Sequence, residues 1–335
     1  MPSLRFLRTR KLSIVAPCYN EEAGLPEFVR QVQAVVTKLG CRHEIVLVND
    51  GSGDGTLRVA LALALADPAI RVVNLLRNFG HQAAATAGLD AATGDVVVLI
   101  DADLQDPPEV IAEMAARWEE GADVAYGQRR RRQGESGLKL ITARVFYRVL
   151  RRMTKTEIPA DTGDFRLMDR RIVEVLRQMR EHHRFIRGMV SWVGGVQVAV
   201  PYDRNPRFAG ETKYPLVKMI SFAFDAVTSF SVVPLRLVTY LAIFIIGVAL
   251  LATVAVVAVK LVNPGYFIPG FAATMLTIIF FGGVQLLALG VIGEYLGRMY
   301  EAVKSRPIYI IEGIYEPGAT GPVPHRGAPD GPRGE

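Results

Sequence analysis

At 335 residues the chain has length for about two domains, and its two cysteines are too few for a disulfide framework. The formal net charge is +6, but the composition is uneven: residues 237–259 and 261–293 carry no charged side chain at all. Neither stretch has a polar face, which argues against a pair of ordinary core helices.

The first ~130 residues alternate apolar runs with helical patterns, as repeated βα units do. A strand over 12–16 ends at Pro17, and a helix follows over 25–39. The next strand, 45–48, runs into Asn49-Asp50-Gly51, followed by a helix over 56–66. A strand over 72–76 and a small-residue helix over 81–92 precede the strand 96–100. That strand ends abruptly in Asp101-Ala102-Asp103-Leu104-Gln105-Asp106-Pro107-Pro108. Pro107, at a favoured first helical position, is expected to open a helix reaching about 120. A short strand follows over 124–126. The N-terminus has basic residues but no apolar core before Leu12, so no signal peptide is expected. Cys18 and Cys41 read as ordinary buried thiols of a reducing compartment.

Between 128 and 158 the chain turns basic, with Arg129 to Arg132 in a run and a helix carrying Lys139, Arg144, Arg148, Arg151 and Arg152. That helix fits contact with anionic headgroups or a solvated face equally. Over 214–234, Lys218, Ser221, Asp225 and Thr228 form a narrow polar stripe in an otherwise apolar helical pattern, as in a helix lying in the bilayer surface. The two uncharged stretches then supply the roughly 20 residues each that cross a hydrocarbon core of ~30 Å. Asn263-Pro264-Gly265 and Pro269 turn between them, which predicts a transmembrane hairpin over 237–259 and 271–293. Lys213, Lys218, Arg236, Arg298, Lys304 and Arg306 flank its outer ends, against Lys260 near the turn. The positive-inside rule therefore places both termini and everything before the hairpin in the cytoplasm, as in a multi-pass protein of the inner (plasma) membrane. The expected division is a catalytic domain over 1–213, an interfacial helix over 214–234, the hairpin region over 235–296 and a tail over 297–335. The Pro- and Gly-rich part of the tail after about 318 reads as disordered.

Open α/β sheets bind ligands outside the carboxyl ends of their strands. Three such ends converge here: Pro17-Cys18-Tyr19-Asn20-Glu21-Glu22, Asn49-Asp50-Gly51-Ser52 and Asp101-Ala102-Asp103. The carboxylates of Asp101 and Asp103 and the Gln105 amide oxygen are hard ligands suited to Mg²⁺ or Mn²⁺ carrying a diphosphate, although solvated loop acids also give acid-x-acid. Tyr19 offers a face for stacking a base, and Asp50 can accept from a base N–H or a ribose hydroxyl. Glu21 and Glu22 fit the same pocket or a favourable charge in a first helical turn. Together these groups describe a nucleotide-diphosphate site. Gly51-Ser52-Gly53-Asp54-Gly55 is neither a dinucleotide fingerprint, since its third glycine falls one residue early, nor an EF-hand loop, whose twelfth position would be Leu61. Farther on, Asp161-Thr162-Gly163-Asp164-Phe165-Arg166 presents Asp164 as an acceptor-orienting group, a base, or a loop acid paired with Arg166. Arg207 and Lys213 suit a lipid phosphate or general membrane anchoring. His182-His183 lacks the spacing of a helical metal pair and reads as surface.

In this order the chain resembles the polyprenyl-phosphate glycosyltransferases of glycosyltransferase family 2, in the bactoprenol glucosyltransferase branch related to dolichol-phosphate mannose synthase. The matching text is Ile14-Val15-Ala16-Pro17-Cys18-Tyr19-Asn20-Glu21-Glu22, Val48-Asn49-Asp50-Gly51-Ser52, Asp101 through Glu109, Asp164-Phe165-Arg166-Leu167, Gly210-Glu211-Thr212-Lys213-Tyr214 and Gly293-Glu294-Tyr295-Leu296-Gly297-Arg298. The resemblance implies an α/β GT-A, Rossmann-like nucleotide-diphospho-sugar transferase domain with interfacial helices and a C-terminal two-helix transmembrane hairpin. By it, Asp101, Asp103 and Gln105 hold Mg²⁺ or Mn²⁺, and Pro17, Tyr19, Glu21, Asp50 and Ala102 line the nucleotide site. Arg129 meets the acceptor lipid phosphate or the donor diphosphate, Lys139, Arg207 and Lys213 are secondary candidates for the same role, and Asp164 orients or deprotonates. Asn49 departs from the family's usual Asp, which shifts nucleotide recognition toward Asp50. No Q-x-x-R-W motif occurs, against the processive polysaccharide synthases. The implied reaction is inverting hexose transfer, with UDP-glucose the favoured donor, to undecaprenyl phosphate. The alternatives are another sugar (mannose, a hexosamine or an aminoarabinose derivative) or a non-catalytic membrane scaffold that kept the fold. Membrane lipids are expected partners and nucleic acid is not; the resemblance is compatible with a homo-oligomer.

Overall fold

Val, Ile and Leu runs suit a pleated surface, and a parallel strand covered on both faces is apolar throughout. The computed structural model, which describes residues 5–130, 162–181, 184–205, 233–263 and 270–316, builds its sheet from such runs. Strands β1 (Lys11–Cys18), β2 (Arg42–Asn49), β3 (Ile70–Leu75) and β4 (Val96–Leu99) lie side by side and parallel in the order β4-β1-β2-β3. They are connected by α1 (Leu25–Leu39), α2 (Thr56–Ala66) and α3 (His81–Ala91), and α4 (Val110–Glu119) follows β4. Leu12, Ile14 and Ala16 of β1 belong to one core with Phe28, Val29 and Val32 of α1 and Ile111, Met114 and Trp118 of α4. On the opposite face α3 lies very close to the sheet, because it presents almost only small residues. A Cβ on Gly88 would fall 2.2 Å from Val15 Cγ1 and 2.9 Å from Val48 Cγ2.

The remaining strands make the sheet mixed and eight-stranded, in the order β7-β5-β6-β4-β1-β2-β3-β8. Strand β6 (Thr162–Asp169) is antiparallel to both β4 and β5 (Val124–Arg129), and β7 (Gln197–Tyr202) runs parallel to β5. Helix α5 (Arg170–Gln178) starts where the Asp169 side chain accepts from Arg171 N–H, and α6 (Ile186–Val193) follows. Strand β8 (Ile311–Tyr315) pairs antiparallel with β3. The described residues up to Asn205 and those from Pro307 onward thus form one compact unit.

Several elements differ from expectation for local reasons. The helix after β4 begins at Val110, because the carbonyls of Pro107 and Pro108 accept from Val110 and Ile111 N–H at 3.2 and 3.0 Å in a tighter preceding turn. The Asp164 cluster is a strand instead of a loop, and its residues from Thr162 to Met168 are all buried despite their polarity. The segment read as the start of a tail contributes β8, so residues from 307 fold with the first unit.

The second unit contains α7 (Val233–Val262) and α8 (Phe271–Val303). Residues 237–259 and 271–293 of the uncharged stretches are therefore helical. Among the described residues one segment, Phe280–Val303 with mean hydropathy 1.4, is long and apolar enough to cross a membrane; a two-helix transmembrane hairpin over 237–259 and 271–293 is not established by that criterion. Lys139 and the basic helix, His182-His183, Arg207, Lys213, most of the interfacial helix, the hairpin turn after Asn263 and the tail after 318 lie outside the described residues.

Candidate active site

The order of the parallel strands reverses at β1, with β2 on one side and β4 on the other, which opens a crevice at their carboxyl ends. Ile100 N–H still bonds Val15 C=O at 3.0 Å, and the chain then leaves the sheet as Asp101, buried Ala102 and Asp103. Asp103 Oδ1 accepts from Gln105 N–H at 3.1 Å across Leu104. Leu104 has φ 59, the left-handed region that a non-glycine residue adopts at an energetic cost. Gln105 C=O in turn accepts from Asn205 N–H at 2.9 Å, tying this turn to the segment after β7. The loop bearing the candidate ligands Asp101, Asp103 and Gln105 is thus held at both ends.

Strand β6 brings Asp164 beside Asp101. His81 Nε2, at the start of α3, lies 3.4 Å from Asp101 Oδ1 and 3.4 Å from Asp164 Oδ2. Gln82 Nε2 donates to Asp164 Oδ2 at 2.7 Å, and Gln82 Oε1 accepts from Ile186 N–H at 2.8 Å. Arg187 Nε stands 3.4 Å from Asp164 Oδ1. Arg166, expected to pair with the Asp164 carboxylate, instead donates to the backbone carbonyls of Asp164 and Gly163, at 3.2 and 2.8 Å. Burial opposes ionisation of Asp164, but the Arg187, His81 and Arg166 charges outweigh it and hold its carboxyl well below the usual range. His81 is pushed up to about 9: burial works against the cation, while the hydrogen bond to Asp164 and the charges of Asp101 and Asp164 prevail. Asp101 rises to about 6, first through burial, which His81 partly offsets, and then through repulsion by Asp164, Asp106 and Asp103.

A second knot sits on Asp106, which is 1% exposed. Its Oδ1 accepts from Tyr202 O–H at 2.5 Å and lies 3.5 Å from Arg204 Nε and 3.9 Å from Arg129 Nη2. Arg129 Nε donates to the Tyr202 hydroxyl oxygen at 3.4 Å. Arg129 is the last residue of β5, so its guanidinium, a quarter exposed, is aimed by a buried acid and a buried phenol.

The nucleotide-side candidates lie along the same edge. Pro17 sits in β1 opposite Val48, past the Leu12–Val15 stretch paired with β4, where its missing N–H is tolerated. Tyr19 is exposed, as a stacking face requires. The backbone N–H of Glu21 donates to Thr56 Oγ1 at 2.8 Å, locking this turn to the start of α2. Asp50 is buried and already accepts from Phe79 and Gly80 N–H, at 2.8 and 3.0 Å. Burial raises its pKa in spite of those bonds. Asp50 therefore shapes the loop leading to His81 and keeps only spare lone pairs for a ligand. Gly51 must be glycine: its φ is 60, and a Cβ there would meet the Arg77 carbonyl carbon at 2.3 Å.

Asp101, Asp103, Asp164 and Ala102 are brought to one locality with Arg129 nearby. No group of three or more His, Cys, Asp or Glu side chains is placed to hold a metal among the described residues. The candidate set has two carboxylates and one amide. It fits a divalent cation nonetheless, since buried Asp101 Oδ1, Asp106 Oδ2 and Asp164 Oδ1 have no hydrogen-bond partner and four acids crowd one another. Sequence reasoning missed His81, Gln82, Arg187, Tyr202 and Arg204. The small-residue helix beginning at His81 and the Arg184–Met189 text that resembles the bactoprenol glucosyltransferases are the local signals for His81 and Arg187, while nothing local marks Gln82, Tyr202 or Arg204.

The family described as Glycosyl transferase family 2 matches residues 13–177, which span β1 to β4, β5, β6 and nearly all of α5. An uncharacterised glycosyltransferase of Synechocystis is 48% identical over 307 residues, covering 92% of this chain and 96% of that one. The prophage bactoprenol glucosyl transferase homolog of Escherichia coli is 40% identical, over 91% of this chain and 99% of that one. The bactoprenol glucosyl transferase of Shigella phage SfII is 41% identical, over 90% and 97%. Among solved structures, glucosyl-3-phosphoglycerate synthase of Mycobacterium tuberculosis with Mn²⁺ and UDP-glucose gives a TM-score of 0.46 at 20% identity, over 65% of this chain and 78% of that one. A likeness at that level says nothing about what this chain binds. The relatives align over about nine-tenths of this chain, and the chain belongs to glycosyltransferase family 2.

Proposed function

We propose that the protein transfers glucose from UDP-glucose to undecaprenyl phosphate at the cytoplasmic face of the inner membrane, with inversion at the anomeric carbon. The observation that carries this reading is the convergence of Asp101 and Asp164 on His81, with Asp103 close by, beside the Arg129–Asp106–Arg204 knot. The bactoprenol relatives, similar over the length of the chain, supply the substrate class.

Pro17, Tyr19, Glu21, Asp50 and Ala102 bind the nucleotide, and Asp101, Asp103 and Gln105 hold Mg²⁺ or Mn²⁺. That ion, when bound, neutralises charge on the departing diphosphate. Arg129 and Arg204 bind the acceptor phosphate, with Lys139, Arg207 and Lys213 as further cations for the same group. A phosphate monoester has a second pKa near ~6 and is largely dianionic at neutral pH, so its oxygen attacks without losing a proton to the protein. Asp164, with its carboxyl pKa held low, is a poor proton acceptor and serves to orient. The apolar helices α7 and α8 anchor the protein in the membrane that holds its lipid acceptor.

Membranes containing the protein, given undecaprenyl phosphate and a panel of radiolabelled nucleotide sugars, will move label from UDP-glucose into the lipid phase. Label from a different sugar nucleotide selects the alternative donor, and no label from any of them supports the scaffold reading. Asp101→Asn or Asp103→Asn retaining full transfer would rule out the metal assignment.

A further inference from the structure

The segment after the apolar helices returns to the sheet as β8, and its docking reaches the nucleotide edge. Leu76 N–H bonds Ile310 C=O at 2.9 Å, and Arg71 pairs with Glu316 at 3.0 Å. Between these anchors Asn74 pairs with Gly313 while Leu75 pairs with Ile311, which leaves Glu312 as the extra residue of a bulge. A bulge re-aims a side chain, and here the Glu312 carboxylate accepts from Asn74 Nδ2 at 2.7 Å.

An ionised carboxylate is an acceptor only, so Asn74 must turn its NH₂ toward Glu312 and its Oδ1 toward β2. There Asn74 Oδ1 accepts from Asn49 Nδ2 at 2.7 Å. The polarity propagates. Asn49 is left with Oδ1, a buried oxygen without a hydrogen-bond partner, on the last residue of β2 and next to Asp50. Asn49 is 3% exposed, and an acceptor buried there without a donor is costly unless a ligand supplies one.

We propose that Glu312 is a positioning residue for the donor nucleotide, setting the Asn74 and Asn49 amides so that Asn49 presents an oxygen to a base N–H or a ribose hydroxyl. This deepens the reading of the site as a nucleotide-sugar pocket and rests on it. Nucleotide recognition is thereby wired to the segment that emerges from α8.

The relay predicts its own rescue. Glu312→Gln can donate or accept, so the amides lose their fixed sense. Asn49→Asp alone sets a carboxylate against Asn74 Oδ1. Combining the two reverses every hydrogen bond. The glutamine amide introduced on β8 then donates to Asn74 Oδ1, and Asn74 Nδ2 donates to the carboxylate introduced on β2, which restores an acceptor at the end of that strand. UDP, CDP and 2′-deoxy-UDP binding would be measured by calorimetry on the purified full chain. Each single variant should weaken UDP binding by about fivefold or more, the worth of roughly one hydrogen bond. The double variant should return to within about twofold of wild type. Glu312→Ala, at an exposed edge position, is a second single variant with the same expected loss. Erasure by Glu312→Gln of a preference for UDP over CDP assigns the donor to the base; erasure of a preference over 2′-deoxy-UDP assigns it to the ribose. Additive single effects, or single variants that bind UDP as wild type does, overturn the relay alone. A wild-type protein that binds no nucleoside diphosphate overturns the pocket as well.

Discussion

Replacing Asp164 by Asn tests whether this acid orients groups or takes a proton. The substitution keeps the shape and removes the charge. The Asn oxygen can still accept from Gln82, which donates to the carboxylate at 2.7 Å, but its NH₂ then faces the Arg187 Nε, 3.4 Å from the present Oδ1. The charge-assisted contacts to His81, 3.4 Å from Oδ2, and to Arg187 are both weakened; the Arg187 contact alone is worth about 1.5–3 kcal/mol. If it is made fully in the transition state, the loss is about 10- to 150-fold in kcat/KM. The assay is initial-rate transfer to undecaprenyl phosphate across pH 5 to 9. Because the ionisation that matters belongs to the acceptor phosphate, near ~6, the acid limb should survive in the variant. A drop beyond about 10⁴-fold, or disappearance of the acid limb, would show that Asp164 accepts a proton in the reaction and refute the orienting role.

Asp101→Asn and Asp103→Asn should each abolish most transfer, and added Mn²⁺ should shift the thermal unfolding of the wild type but not of a variant carrying both changes. Gly88→Ala should destabilise the first unit by about 1–3 kcal/mol, because the new methyl meets the stiff side chains of Val15 and Val48; unchanged thermal unfolding would contradict the tight contact of α3 with the sheet. Glu44, buried and accepting from Lys11, Ser13 and Thr93, has its pKa lowered to about 2, since those bonds outweigh the burial that opposes them. Its folded pKa lies below the unfolded value of about 4.3, so its contribution of about 3 kcal/mol is present above that value and lost as pH falls toward 2. Denaturant unfolding between pH 6 and 2.5 should show this loss in the wild type and a flatter profile in Glu44→Gln.

Much of the architecture was legible in the chain. The parallel strands announce themselves as uninterrupted Val, Ile and Leu runs, because a strand buried on both faces has no reason to alternate. Helices α1 and α2 follow the periodicity to the residue, with Gly40 at φ 63 closing the first. The acids after β4 stand out because a buried strand that stops in Asp-Ala-Asp has few purely structural uses. By contrast β6 carries a weak strand signal, since the polar Thr162, Asp164 and Arg166 break up its apolar Phe165, Leu167 and Met168 although all are buried. Their polarity is tolerated only because partners from α3 and α6 arrive from far along the chain.

The local sequence determined the four parallel strands, the helices between them and which acids follow β2 and β4, since burial on two faces and helical periodicity are properties of neighbouring residues. Tertiary structure alone decided that His81 bridges Asp101 and Asp164, that Asp106 gathers Tyr202, Arg129 and Arg204, and that Glu312 sets the sense of two amides on other strands. Those contacts join residues far apart in the chain. Their strength depends on burial and on the mutual orientation of the groups, which no window of sequence contains.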